Sequence, residues 1–238
     1  MIIGKSMLLT LPNTSIDYQK YRSILCLNGA LPSADFFKSE LPIIAADGAA
    51  NTLMEMGIKP DLVIGDLDAI DQRWLKEVET LYVYDQNFCD YEKSLDYLAS
   101  KNLLPCIVVG INGGYLDHVL NNINIFMKSK NLLYAPPLYG CVVREDEHQT
   151  FNLPIDTKIS LMGIPKAKVT TKGLKWELID STLSFPGVSS CFNRGVDDIV
   201  EIRVHEGSVL VLIYFSVPKN LLTAFIKKSK SGLNVSRL

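Results

Sequence analysis

At 238 residues the chain has room for one large domain or two modest ones, and its 47% hydrophobic and 21% charged content excludes a disordered or fibrous protein. A formal net charge of −2 supplies no basic field, so a nucleic-acid partner is not expected. No run approaches the roughly 20 apolar residues of a membrane helix, and the best candidate, Val209 to Phe215, has only strand length, so no membrane role is expected either.

The N-terminal apolar stretch Met7 to Leu11 is too short for a secretory segment. From Ser23 to about residue 140, short apolar runs alternate with helical patterns. SILCL (23–27), PIIAAD (42–47), LVIGD (62–66), LYVYD (81–85) and CIVVG (106–110) have the length and β-rich composition of buried parallel strands. Between them, DGAANTLMEMG reads as a helix with Asp47 as its N-terminal cap and Gly57 as its stop. DYEKSLDYLAS offers Asp90 as a cap and Tyr91, Leu95 and Leu98 as one buried face. In LDHVLNNINIF, Leu116, Val119, Leu120 and Ile123 form an apolar stripe, leaving Asp117, Asn121 and Asn124 on another face.

Beyond Cys141 the helical periods vanish. KISLMGI and AKVTT read as short separate strands. In IVEIRVHEG, Val200, Ile202 and Val204 alternate with Glu201, Arg203 and His205, a half-buried antiparallel pattern. A Glu-Gly turn then leads into SVLVLIYF. The final twenty residues, with Leu221, Leu222, Phe225 and Ile226 followed by lysines, read as a solvated basic tail or a short docking helix. The expected fold is α/β. An N-terminal doubly wound, mostly parallel α/β catalytic domain (1–140) is followed by a smaller all-β, sandwich-like domain (141–238), with the boundary in or just after APPLYG. The five cysteines, Cys26, Cys89, Cys106, Cys141 and Cys191, are odd in number and scattered, without a CxxC pair. They fit reduced thiols in a cytoplasmic protein better than a disulfide framework or a zinc site.

The acidic residues of the first region follow the strand runs: Asp47 after IIAA, Asp66 and Asp68 after LVIG, Asp85 and Asp90 after LYVY. Ligands of open α/β sheets bind beyond the carboxyl ends of the strands, so these carboxylates should converge. Asp66 and Asp68, two apart in extended chain, can face the same way. Crowded carboxylates repel unless a cation lies among them. With no cysteine or histidine in the set, hard oxygen donors favour Mg²⁺. A lone aspartate at a strand end is more often a cap or turn residue; four at successive strand ends favour the metal reading. Gly113 and Gly114, between a strand and a helix, can present backbone N–H groups to a phosphate, or can simply make a turn. Lys93 sits in the first turn of its helix, where the dipole disfavours a cation unless a polyphosphate is near, although a solvent-exposed lysine is the usual case. His118, after Asp117, reads as a structural hydrogen-bonding partner rather than a ligand. These residues together point to Mg²⁺ and a polyphosphate, and name no substrate.

Four blocks, in order, resemble the thiamine pyrophosphokinase family: AADGAANTLMEMGIKPDLVIGDLDAI, DQNFCDYEKSLDYL, GGYLDHVLNNI, and TTKGLKWELIDSTLSF with VSSCFNR. The resemblance implies transfer of diphosphate from ATP to the hydroxyl of thiamine, giving thiamine diphosphate and AMP. It implies Mg²⁺ on Asp66, Asp68 and Asp90, with Lys93 beside them in the catalytic set. It places Asp47, Gly48, Asn51, Gly113, Gly114, Asp117 and His118 near ATP. It places Thr171, Gly173, Leu174, Trp176, Ser189, Ser190 and Asn193 with thiamine, the Trp176 ring offering a flat face for the cationic thiazolium. It also implies a homodimer with thiamine held between subunits. The chain departs from the pattern at Ala69, where serine is usual, at Tyr115, where arginine is frequent, and in SSCFN, which carries an extra residue between serine and asparagine. Three rival readings are a pyrophosphokinase for a pterin alcohol, a non-catalytic thiamine or nucleotide sensor, and a Mg²⁺ phosphohydrolase. The TKGLKW segment argues against the first and the intact aspartates against the second; ATP consumption without thiamine would mark the third.

Overall fold

The structure is a computed structural model and describes residues 18–215; the readings of Met7 to Leu11 and of Leu221 to Ile226 lie outside them. The elements run β1 (Ser23–Cys26), β2 (Ile43–Ala46), α1 (Ala49–Glu55), β3 (Leu62–Gly65), β4 (Thr80–Tyr82), α2 (Asp90–Ser100), β5 (Cys106–Val109), α3 (Leu116–Phe126), β6 (Leu132–Ala135), β7 (Leu138–Arg144), β8 (His148–Asn152), β9 (Lys158–Lys172), β10 (Ser181–Ser184), β11 (Ser190–Arg194) and β12 (Ile199–Tyr214). The twelve strands among the described residues join one sheet in the order β10-β9-β12-β7-β6-β5-β1-β2-β3-β4, with β11 on β9 and β8 on β12. Pairing is parallel from β6 through β4 and antiparallel from β6–β7 onward, so the N-terminal α/β and C-terminal antiparallel β regions expected from the sequence are both present.

The parallel strands β1, β2, β3 and β5 are buried at every residue, as strands covered on both faces should be, whereas LYVYD, expected to be buried too, contributes to edge strand β4, which is exposed at Thr80 and Tyr82. Alternate residues serve two cores. Ile24, Cys26, Ile43, Ala45, Val63, Ile107 and Val109 pack in the cluster that includes Ala49, Ala50 and Leu53 of α1. Leu25, Leu27, Ile44, Ala46, Ile64 and Val108 pack with Tyr91 and Leu98 of α2 and Ile125 and Phe126 of α3. This two-sided use of a period-2 pattern makes the region doubly wound.

Helix α1 ends as expected. Gly57, at φ 75, donates to the Met54 carbonyl while Ile58 donates to that of Leu53, a Schellman closure that a left-handed glycine permits. Its start differs from expectation, because the N-cap is Gly48 and the Asp47 carboxylate turns away from the helix. Helix α2 is capped by Cys89 instead of Asp90, with Glu92 returning a hydrogen bond to the Cys89 N–H. Both aspartates are thereby released from capping. The stripe expected on α3 is not buried in this chain: Leu116 and Leu120 are 72% and 51% exposed, and Ile125 and Phe126 anchor the helix instead. Its last turn packs on the sheet, while its N-terminal half stands over a cavity.

In the C-terminal region KISLMGI and AKVTT belong to one strand, β9, and the Glu206-Gly207 turn does not form. Strand β12 runs through it with register shifts between Val204 and Glu206 and between Gly207 and Val209. Such bulges bend a strand without ending it. Gly207 has φ 73, and a Cβ there would run into the Lys166 carbonyl. Val200, Ile202 and Val204 are buried while Arg203 is exposed, as their alternation predicts. Position 140/141 falls inside β7, which pairs with β6 on one edge and β12 on the other. The two regions therefore share a hydrogen-bonded sheet. All five cysteines are free, and among the described residues no helix is long and apolar enough to cross a membrane.

Candidate active site

A cavity of about 760 Å³ opens where β1, β2, β3 and β5 end, walled by the loops that follow them and by the start of α3. Asp47, Asp66 and Asp90 meet in it, each offering an oxygen within 4.8 Å of the others. Asp68 lines the same cavity but lies outside this trio. The reason is local: Leu67 adopts φ 59, so the chain turns between Asp66 and Asp68 instead of running extended. Asp85, expected to converge as well, accepts hydrogen bonds from the N–H (2.9 Å) and side-chain amide (2.8 Å) of Asn87 and does not line the cavity.

Each carboxylate of the trio has a different environment. Asp47 is buried, sits at φ 37, and accepts a 3.1 Å hydrogen bond from the Ala69 N–H on Oδ2. Burial pushes its carboxyl up to about 6, against the Ala69 bond, with Asp90, Asp68 and Asp66 adding like-charge repulsion. Its Oδ1 is buried with no hydrogen-bond partner. Asp66 accepts from Gln86 Nε2 at 2.8 Å, which holds its carboxyl below the usual range. Asp90 Oδ1 accepts from Lys93 Nζ at 3.0 Å, and the lysine side chain is 4% exposed. Burial pulls that ammonium down, but the Asp90 bond and charge, with Asp66 and Asp85, leave it raised and charged. Gly65 is required for space, since a Cβ would lie 2.8 Å from the Asp47 Cβ and 3.1 Å from the Asp90 Cγ. Three crowded oxygen donors, one of them a buried acceptor without a donor, fit a hard divalent cation such as Mg²⁺.

Around the trio, Gly48 leaves room for Asn28, whose Nδ2 would be 2.7 Å from an added Cβ. Asn51 does not line the cavity. Its amide donates to the Ala69 carbonyl and accepts from the Asp71 N–H, both at 2.8 Å, pinning the loop that carries Asp66 and Asp68. Ala69 acts there through its backbone and its methyl. Gly113 (φ 88) and Gly114 (φ 75) are exposed on the cavity wall just before α3. Asp117 and His118 follow, joined to each other by a 3.0 Å Oδ1–Nδ1 contact, and Asn121 lines the wall while Asn124 does not. Asn28, Gln86 and Asn122 also line the cavity; as uncharged amides they carry no periodic or charge signal in the sequence.

The residues matched to thiamine gather elsewhere, around the loop between β9 and β10. Glu177, not singled out by the sequence, organises it. Its carboxylate accepts from Thr171 Oγ1 and the Gly173 N–H, both at 2.7 Å, and from the Leu174 N–H at 3.0 Å. Asn193 is buried and brackets Trp176, accepting from its N–H at 3.2 Å and donating to its carbonyl at 2.7 Å. Asn193 also donates to Ser190 Oγ at 3.1 Å, and Ser189 stands half-buried beside it. The Trp176 ring is 55% exposed. Ser190 pairs with Leu161 and Asn193 with Ile159, so three steps on β11 match two on β9. The extra residue of SSCFN is thus a bulge, with Phe192 at φ 54. None of these residues lines the acidic cavity.

Two family models match the chain: "Thiamin pyrophosphokinase, catalytic domain" over residues 34–134 and "Thiamin pyrophosphokinase, vitamin B1 binding domain" over residues 147–209. The chain is 28% identical over 210 residues to thiamine pyrophosphokinase 1 of Arabidopsis thaliana, covering 75% of this chain and 73% of that one. It is 26% identical over 201 residues to thiamine pyrophosphokinase 1 of Oryza sativa subsp. japonica, covering 67% and 74%. Its fold is similar to that of the yeast thiamin pyrophosphokinase crystal structure, with TM-score 0.73, 17% identity and coverage of 90% and 94%. Both matched regions, one holding the carboxylate trio and the other the Trp176 loop, lead to the same assignment: the chain belongs to the thiamin pyrophosphokinase family.

Proposed function

We infer that this chain is a thiamine diphosphokinase, moving a diphosphate from ATP to the primary hydroxyl of thiamine and releasing AMP. The observation that carries the reading is the trio Asp47, Asp66 and Asp90, with its partnerless buried oxygen, opening beside the exposed Gly113-Gly114 turn. Asp66 and Asp90, with Asp47, would hold Mg²⁺, and Asp68 lies within the same cavity. When bound, the ion supplies charge neutralisation to a triphosphate, the main requirement of phosphoryl-type transfer. Lys93 keeps Asp90 oriented. Gln86 does the same for Asp66. The exposure of the Gly113-Gly114 turn on the cavity wall, just before α3, supports a role for its N–H groups in donating to phosphate oxygens. Attack by the thiamine hydroxyl on the β-phosphorus forms a new P–O bond, breaks the bond to the α-phosphate oxygen, and sends the hydroxyl proton to a basic group of the site.

The thiamine-facing set is Thr171, Gly173, Leu174, Trp176, Ser189, Ser190 and Asn193, of which Trp176 presents its ring and the others shape the loop beneath it. Because that set does not line the acidic cavity of its own chain, we propose that two copies assemble so that the Trp176 loop of one faces the carboxylates of the other. Incubation with ATP, Mg²⁺ and thiamine should yield thiamine diphosphate and AMP. ADP as the main product, or equal ATP loss without thiamine, would overturn the reading.

A further inference from the structure

The cavity has two chemically different ends. Its floor carries Asp47, Asp66 and Asp90, whereas its rim carries Tyr115, 79% exposed, and Phe88, 49% exposed. A nucleoside triphosphate has the same division, with phosphates that need cations and N–H donors and a flat base that needs an apolar face. We propose that the ring of Tyr115 is the base contact of the nucleotide subsite, an inference that rests on reading this cavity as the ATP site.

Three observations carry it. Tyr115 is the N-cap residue of α3 at φ −75 and ψ 141, yet its side chain makes no capping hydrogen bond, so the ring is not occupied in holding the helix. Its ring contact is with His118 one turn further on, at 5.8 Å between centroids and 46° between planes, which braces the ring from the helix side. The basic side chains among the described residues of the wall are Lys93, committed to Asp90, and His118, paired with Asp117. The rim therefore offers no guanidinium fork for phosphate, and what it does offer is aromatic surface. The reach is also right. Tyr115 lies two residues past Gly113, so the two are at most about 7 Å apart along the chain, and a ligand held at the turn by a phosphate can bring its base to the ring. Stacking reads a face and not an edge, so this contact contributes affinity for nucleotides without itself selecting adenine.

The test compares ATP with inorganic tripolyphosphate, which has the phosphates and lacks the base, by calorimetric binding in Mg²⁺ without thiamine. For Tyr115→Ala, the ATP dissociation constant should rise roughly tenfold while that of tripolyphosphate stays within about twofold, as loss of one base–aromatic stack implies. Tyr115→Phe, which keeps the ring and removes the hydroxyl, should retain ATP affinity. Equal weakening of both ligands in Tyr115→Ala would mean that the residue serves the phosphates or the turn, and would overturn the proposal. So would no change in either, or a Tyr115→Phe protein that behaves like Tyr115→Ala. A wild-type chain that binds neither ATP nor tripolyphosphate would remove the reading of the cavity and this proposal together, an outcome distinct from the others because they require wild-type ATP binding.

Discussion

Asp66 and Asp47 share one cavity but are shifted in opposite directions from the ordinary carboxylate value, Asp66 down by its Gln86 hydrogen bond and Asp47 up by burial. The Gln86 amide keeps Asp66 ionised and aimed. Asp66→Asn removes a charge and a metal donor while preserving shape, so turnover should fall at least ~100-fold with an unchanged melting temperature or a small rise. Near-normal activity across a Mg²⁺ titration would make Asp66 a turn residue only. Asp47 is the reverse case, its carboxyl raised from the ordinary 3.8 to about 6 by burial and by three neighbouring carboxylates. A raised folded-state value means that the folded chain holds its proton more tightly. The stability this contributes is present below about pH 4 and is lost as pH rises through about 6. In metal-free protein, Asp47→Asn should therefore raise the melting temperature at pH 7.5 more than at pH 5. Mg²⁺ should stabilise the wild type increasingly over the same interval, because the deprotonated trio binds it best. An Asp47→Asn effect of the same size at both pH values, measured by thermal melts in chelator, would contradict the burial argument.

Among the elements, the loop between β9 and β10 depends on one side chain. Glu177 accepts three hydrogen bonds from Thr171, Gly173 and Leu174, and the Thr171 hydroxyl in turn accepts from the Leu178 N–H. Removing that carboxylate leaves N–H groups without an acceptor, at a cost of about 1–3 kcal/mol. Glu177→Ala should lower the urea midpoint accordingly and raise KM for thiamine roughly tenfold or more by misplacing Trp176, while KM for ATP stays constant. A parallel rise in both KM values would mean that the loop also serves the ATP cavity and not thiamine alone. The β11 bulge belongs to the same scale. Its extra residue is legible in the sequence as a spacing anomaly, but that it resolves into a left-handed Phe192 depends on Asn193 being held at Ile159 by its side-chain bonds to Trp176.

At the scale of the whole molecule, the two functional sets are far apart along one sheet. Five strand spacings separate β9 from β1, on the order of 20 Å across a sheet, and β7 ties the two regions by hydrogen bonds on both of its edges. That continuity opposes folding one region onto the other and supports sites shared between two copies. If sites are shared, Asp66→Ala and Trp176→Ala proteins should complement when refolded together. Random pairing makes half the dimers mixed, each with one intact site of two, for roughly a quarter of wild-type activity. Assays at low thiamine sharpen the comparison by keeping the Trp176→Ala parent inactive. No gain over the separate variants, in a sample shown to contain mixed dimers, would place each site within one chain.

Although LYVYD reads as a buried strand and β4 is exposed at both ends, the sequence alone carries the strand runs, the full burial of β1, β2, β3 and β5, the glycine stop of α1 and the family, because these are written in short-range signals: apolar period, glycine placement and ordered motif blocks. It also placed the carboxylates at strand ends, which follows from topology alone. Which of them meet depends on the three-dimensional fold. Asp47 and Asp90 read as helix caps, and both are released because Gly48 and Cys89 take those positions. Asp68 reads as the twin of Asp66 until Leu67 turns left-handed between them. The Glu206-Gly207 turn becomes a bulge because β9 and β12 continue pairing on either side of it. The exposed face of α3 has a helical period suited to burial, yet whether a period is buried depends on what the fold sets against it, and in this chain the N-terminal half of α3 stands over the cavity.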